Sequence, residues 1–236
     1  MTYDLARQVI VLFGGQDSAG KVHNDTWTWD GRNWKEQNPD IKPAPRTNSA
    51  MAYDGSRGVT VLFGGQRDGT NVGMADTWEW NGKAWAQRFP AVSPPARLFH
   101  AMAFDTVRNR TVVYGGRSDI YTTGTVFGDT WEWDGRNWLS FTSVGGPGPR
   151  AGHRMAYDRL LGSTVLFGGE GATAGSLNDT WHWDGATWTQ AFPTTEPVGR
   201  DVFGMDYEVA QAQILIFGGY ANLPGGGYLG DTWEGA

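Results

Sequence analysis

Cysteine is absent from the 236-residue chain. That excludes disulfides, thiolate metal sites and cysteine nucleophiles, but leaves the compartment open, because a cysteine-free chain suits either side of a membrane. Basic charge is scarce: 19 Lys and Arg against 25 Asp and Glu give a formal net charge of −6. Nucleic acid and anionic membrane surfaces attract basic proteins, so neither is expected as a partner. No apolar run is long enough for a membrane-spanning helix. The opening "MTYDLARQVIVLFGG" lacks a basic start, an apolar core and a small-residue cleavage site. No signal peptide is read in it, and a soluble chain of unassigned compartment is expected. Helix signals are also scarce, with no long segment spacing its apolar residues by three and four.

What is present is repetition. Gly-Gly pairs start at Gly14, Gly64, Gly115, Gly168 and Gly218, and Asp-Thr-Trp phrases start at Asp25, Asp76, Asp129, Asp179 and Asp231. Both recur at about 50 residues, the period of a propeller blade or a solenoid unit. A further Trp follows in four copies (Trp34, Trp85, Trp138, Trp188), then an Arg (Arg46, Arg97, Arg150, Arg200), then a Met-led strand starting at Met51, Met102, Met155 and Met205. Met1 has the same phase. The repeats run approximately 1–50, 51–101, 102–154, 155–204 and 205–236, in one domain over 1–236.

Each unit reads as four short strands. The first is rich in Ala and Met, which suits crowding near an axis. The second is a continuous apolar run such as "VIVLFGG", which implies burial on both faces. The third places two Trp two residues apart, hence on one face. An Asp-Gly or Asn-Gly pair then turns the chain into the fourth. With 13 Trp and 39% hydrophobic residues a sizeable core is available. All thirteen Trp fall at repeat positions, where they fill the space between blades. A single sheet cannot bury two apolar faces, but sheets packed around an axis can, so an all-β propeller of five four-stranded blades is expected, the last lacking its outer strand. A linear solenoid is the competing arrangement.

The phrases "LFGG", "NDTWTWDG", "NW", "PAPR" and the aromatic-Asp pair resemble the kelch repeat family, in its Asp-Thr-Trp-x-Trp form, over essentially the whole chain. The resemblance implies a β-propeller and leaves function open, since kelch propellers include enzymes, lectin-like binders and interaction platforms. Such propellers usually have six or seven blades. The fifth unit here ends at "DTWEGA". Either that blade is three-stranded, or the chain is a fragment or engineered piece of a longer propeller with no selected ligand, or two chains share strands. Self-association through the incomplete last blade follows from the third alternative.

Strand alternation puts the short, similar turns on one face and the long, dissimilar second-to-third-strand loops on the other. Binding is expected on the varied face. Arg46, Arg97, Arg150 and Arg200 form a partial ring there. They either hold a carboxylate or other anion, or tie blade links to neighbouring carbonyls and carboxylates. His100 and His153 share a phase beside them. Two histidines without a matched carboxylate make a poor metal site, so no metal and no cofactor is assigned. The repeated Asp before Thr-Trp is read as bonding backbone N–H groups at a strand start. Pairs such as Asp54 with Arg57 are read as exposed turn contacts. Tyr121, Tyr220 and Tyr228 are loop aromatics able to stack on a sugar or anchor a peptide.

No Ser-His-acid set, paired carboxylates or phosphate loop stands out, and the Tyr–Cys cross-link of copper oxidase relatives needs a Cys. No catalytic residue is assigned. The expected function is a non-catalytic protein-binding scaffold taking a protein segment or a small polar or anionic ligand. A carbohydrate-binding or carbohydrate-modifying protein is the alternative.

Overall fold

The computed structural model describes residues 1–120, 124–142, 145–171, 175–222 and 226–235, and every regular element in them is a β-strand. Blade 1 is β1 (Thr2–Asp4), β2 (Val9–Gln16), β3 (Val22–Trp29) and β4 (Trp34–Gln37). A link strand β5 (Arg46–Thr47) leads into blade 2: β6 (Ala50–Asp54), β7 (Val59–Phe63), then β8 (Gln66–Arg67) in a loop, β9 (Thr77–Trp80) and β10 (Trp85–Arg88). Blade 3 is β11 (Ala101–Asp105), β12 (Arg110–Tyr114), β13 (Thr130–Trp133) and β14 (Trp138–Phe141). After the link strand β15 (Arg150–Ala151), blade 4 is β16 (Arg154–Asp158), β17 (Ser163–Phe167), then β18 (Glu170–Gly171) in a loop, β19 (Thr180–Trp183) and β20 (Trp188–Ala191). Blade 5 has three strands, β21 (Gly204–Glu208), β22 (Gln213–Tyr220) and β23 (Tyr228–Gly235). Each blade is an antiparallel meander, and the five form a β-propeller.

The hairpin between third and fourth strands is set by its turn residue. Asp30 Oδ1 accepts from the N–H groups of Arg32 and Asn33 at 2.8 and 2.7 Å, and the pattern recurs at Asn81, Asp134 and Asp184. This Asx closure fixes the register that pairs Trp29 with Trp34 across the hairpin. The glycine pairs answer a packing demand. A Cβ on Gly64 would lie 2.6 Å from the Arg97 carbonyl oxygen, and its φ of +60° is a left-handed value that other residues adopt at a cost.

The two faces of a blade differ. One carries Ala, Val and a terminal aromatic, as with Ala52, Val61 and Phe63. The other carries Met and Trp, as with Met102, Trp133 and Trp138, and these two sets form one core. The same pairing recurs between blades 1 and 2 and between blades 3 and 4. The fourth-strand Trp sits edge-on against the aromatic of the preceding blade: Phe13–Trp85, Phe63–Trp138 and Tyr114–Trp188 have ring centroids 5.2, 5.1 and 5.0 Å apart. Each indole then donates back. Trp85, Trp138 and Trp188 Nε1 reach Thr26, Thr77 and Thr130 Oγ1, all at 2.9 Å. The third-strand Trp133 and Trp183 likewise donate to Glu79 and Glu132 of the preceding blade. A buried donor left unpaired is costly, so the interface is specified chemically as well as by shape. The linear solenoid is replaced by packing around an axis, with the first strands as inner neighbours in the order β1, β6, β11, β16, β21.

Two features were not expected. At the blade links Asn48, Phe99, Gly152 and Val202 all take left-handed φ values, 55°, 57°, 72° and 51°. Their backbones join across blades: Phe99 N–H donates to Asn48 C=O, Gly152 N–H to Phe99 C=O and Val202 N–H to Gly152 C=O, at 2.8–3.0 Å. Backbone pairing offsets the unfavourable φ of Phe99 and Val202. The second feature is that the facing sides of blades 1 and 5 are uncovered, with Trp34 46% and Phe217 60% exposed. Among the described residues no hydrogen bond, ion pair or ring contact joins blade 5 to blade 1.

Candidate functional site

The four arginines belong to the frame. Arg46, Arg97, Arg150 and Arg200 are 0–1% exposed. Each grips the Asp that begins the Trp strand of the blade it leads into: Asp76, Asp129, Asp179 and Asp231 accept from both terminal nitrogens at 2.7–2.8 Å. The first nitrogen also donates to a glycine carbonyl, Gly64, Gly115, Gly168 or Gly218, at 2.9 Å. Their forks are thus occupied within the protein, so of the two readings of the ring the geometry matches the one that ties blade links to neighbouring carbonyls and carboxylates. The same geometry corrects the reading of the repeated Asp, which receives side chains: the Arg and its own strand's indole Nε1 at 2.6–2.7 Å. Burial alone would push the Asp76, Asp129 and Asp179 carboxyls up. The arginine bond and charge outweigh it, and all three are held below the usual range.

The Asp-Arg turn pairs are also more than surface contacts. Asp4, Asp54 and Asp105 are buried, and Arg57 and Arg108 reach past them to Glu79 and Glu132, each at 2.6 Å. Those glutamates are the indole acceptors of the next blade interface. Turn and interface are therefore one network, in place of the exposed, weak contacts read from the sequence.

His100 and His153 lie behind the glycine pairs, edge-on to Phe63 and Tyr114. Both are buried, and among the described residues their ring nitrogens make no well-aligned hydrogen bond, only the main chain of Phe63 and of Tyr114 lying near enough to favour the charged form. Burial, then the Arg97 charge, pulls His100 down to about 3, and burial, then Arg150 and Arg154, holds His153 well below its ordinary value. Phe203 fills the same place in blade 5. Among the described residues no cluster of three or more potential ligands is placed to hold a metal. In the unfolded chain these imidazoles protonate near pH 6.5. The unfolded state then binds more protons than the folded one, so stability falls as pH drops from about 6.5 toward the folded values, by up to about 1.4 kcal/mol per pH unit per histidine. The double variant His100→Phe with His153→Phe is expected to keep its stability at pH 7.5 and to lose most of this acid slope. Urea titrations at pH 7.5, 6 and 5 measure it; an unchanged slope contradicts buried neutral imidazoles.

The varied face supplies what remains. The residues just after the glycine pairs stand at one phase and differ in chemistry: Gln16, Gln66, Arg117, Glu170 and Tyr220. Between blades 1 and 2, Gln16, Thr47, Gln66, Arg67 and Asp68 line a polar cleft of about 230 Å³. Gln66 spends its Nε2 on Thr70 C=O at 2.7 Å, and the exposed Arg67 guanidinium makes no described bond. Around blades 3 and 4 the character changes to an ion pair, Arg117 with Glu170 at 2.9 Å. Burial, then Glu170, pushes the nearby Asp201 carboxyl up. At blade 5, Tyr220 and Tyr228 stand edge to face with centroids 5.5 Å apart, and Tyr228 is 93% exposed. Tyr121 lies outside the described residues. Gln16, Gln66 and Arg117 carry no signal in the sequence, because a repeated phase stands out only where the residue type repeats as well.

No protein-family model matches the sequence. Dynein regulatory complex subunit 7 of Chlamydomonas reinhardtii is 31% identical over 136 residues, covering 52% of this chain. The match takes in 11% of that protein, so the chain spans about a tenth of the relative's length. No helix in the described residues is long and apolar enough to cross a membrane.

Proposed function

We propose that this kelch-like propeller is a non-catalytic binding scaffold whose varied face takes a protein segment. The observation that supports the reading is the division of chemistry. Arginines, acids and indoles at repeated phases are consumed by blade packing, whereas amide, guanidinium, carboxylate and phenol groups on the varied face differ from blade to blade. A face with one polar cleft and one exposed aromatic pair offers polar complementarity beside an apolar anchor, the usual anatomy of a peptide-binding surface. That the relative is named as a subunit of a complex agrees with a role in assembly.

The test is a random peptide library panned on the immobilised protein. Enriched peptides should lose at least tenfold in affinity on Arg67→Ala or Tyr220→Ala and be unaffected by Arg32→Ala or Arg136→Ala in the opposite turns. Binding that depends on the opposite turns contradicts the reading. The exposed Tyr220–Tyr228 pair also favours a carbohydrate ligand, since phenol rings stack on sugar faces. A glycan array decides between them: saturable sugar binding lost in Tyr228→Ala supports the second.

A further inference from the structure

We propose that the chain assembles head to tail with a second copy of itself, the Trp34 face of blade 1 in one copy seating on the Phe217 face of blade 5 in the other. The two end faces are halves of an interface that the molecule makes internally three times. Blade 1 shows the donor half. Trp34 is 46% exposed, whereas Trp85, Trp138 and Trp188 at its phase are buried. Beside it Tyr3, Ile10 and Trp29 line an open groove of about 500 Å³.

Blade 5 shows the acceptor half. Phe217 stands where Phe13, Phe63 and Tyr114 receive an indole edge, and it is 60% exposed. Thr232 stands where Thr26, Thr77 and Thr130 accept an indole N–H; it is exposed, and its hydroxyl makes no hydrogen bond among the described residues. Glu234 matches Glu79 and Glu132 and is equally open. Seating one face on the other would give Trp34 the ring of Phe217 and the hydroxyl of Thr232, and would give Trp29 the carboxylate of Glu234. The internal interfaces thus specify the occupant: a Trp-bearing blade face of this repeat, which a second copy displays.

The contact is heterologous, because the two surfaces differ and one chain carries both. It is also more polar than the internal interfaces. Asp206 occupies the phase of Ala52, Ala103 and Ala156, so association is expected to be reversible and concentration-dependent.

Heterologous pairing has a signature in mass measurements by light scattering or sedimentation. Wild type should rise above one chain, 25.8 kDa, as concentration increases. Trp34→Glu alone and Phe217→Glu alone should stay at one chain, because each has lost one half of the contact. Mixed in equal amounts, they should form a pair of one each and stop there, since each retains the half the other lacks. Tyr3→Glu is a second blade 1 variant should Trp34→Glu not fold, and circular dichroism melts show which variants are folded. A wild type that stays at one chain at every concentration overturns the proposal, whether blade 5 has closed on blade 1 of its own chain or the faces stay open. Single variants that still associate, or a mixture that fails to pair, overturn it as well.

Discussion

Trp138→Ala is expected to lower the stability of the propeller by about 3–5 kcal/mol, the range for truncating a buried Trp. Trp34→Ala, at the same phase of blade 1, is expected to cost about 1 kcal/mol or less, as surface positions do. The two differ only in what covers them. Trp138 lies against Phe63 and donates to Thr77, and its removal leaves a cavity at the blade 2–blade 3 interface and a hydroxyl without its donor. Trp34 keeps only the tilted contact with Trp29 across its hairpin, at 5.5 Å. Urea midpoints in dilute protein measure both. Equal losses contradict the view that stability lies between blades.

Arg97→Ala is expected to destabilise by a similar amount, about 3–5 kcal/mol, because removing one partner of a buried ion pair strands the other groups. Asp129 would lose both bonds from the fork, and the Gly115 and Pro95 carbonyls would lose theirs. The guanidinium also lies over the Phe127 ring, 4.5 Å from its centroid, which the truncation would uncover. Arg97→Lys should recover only part of the loss, because an ammonium keeps the charge but cannot serve a bidentate carboxylate and two carbonyls at once. Arg97 and Arg150 replaced together should unfold the chain at ambient temperature or bring it close to doing so. A double variant that folds with unchanged stability would return these side chains to the role of ligand contacts.

The frame was legible in the sequence because repetition amplifies weak signals. One "DTWEWDG" predicts a hairpin; four such phrases and a fifth Asp-Thr-Trp at a period of about 50 residues predict blades, and two Trp at a spacing of two point to one face. The cross-blade bonds were harder. Arg97 and Asp129 recur with their own repeats, but nothing in a repeat says which copy of one phase meets which copy of another. That depends on how adjacent sheets are rotated about the axis. The left-handed links were invisible for a different reason. Asn48, Phe99, Gly152 and Val202 share a backbone conformation and no side-chain chemistry, and only one is a glycine. Asp54 was misread because a carboxylate beside an arginine in a turn suggests solvent, whereas this one is buried and accepts from Ser56 and Arg57. The uncovered faces of blades 1 and 5 were out of reach too, since closure is a matter of angle summed over blades.

The most direct test of the inter-blade indole interface is residue-resolved hydrogen exchange at the indole N–H groups, on Phe217→Glu protein to hold the chain as a single copy. Trp85, Trp133, Trp138, Trp183 and Trp188, which donate across blade boundaries, are expected to exchange slowest, near the rate of global unfolding. Trp34 is expected to exchange about as fast as a solvated indole. Rapid exchange at the five cross-blade indoles, or protection of Trp34 equal to that of Trp138, would contradict it.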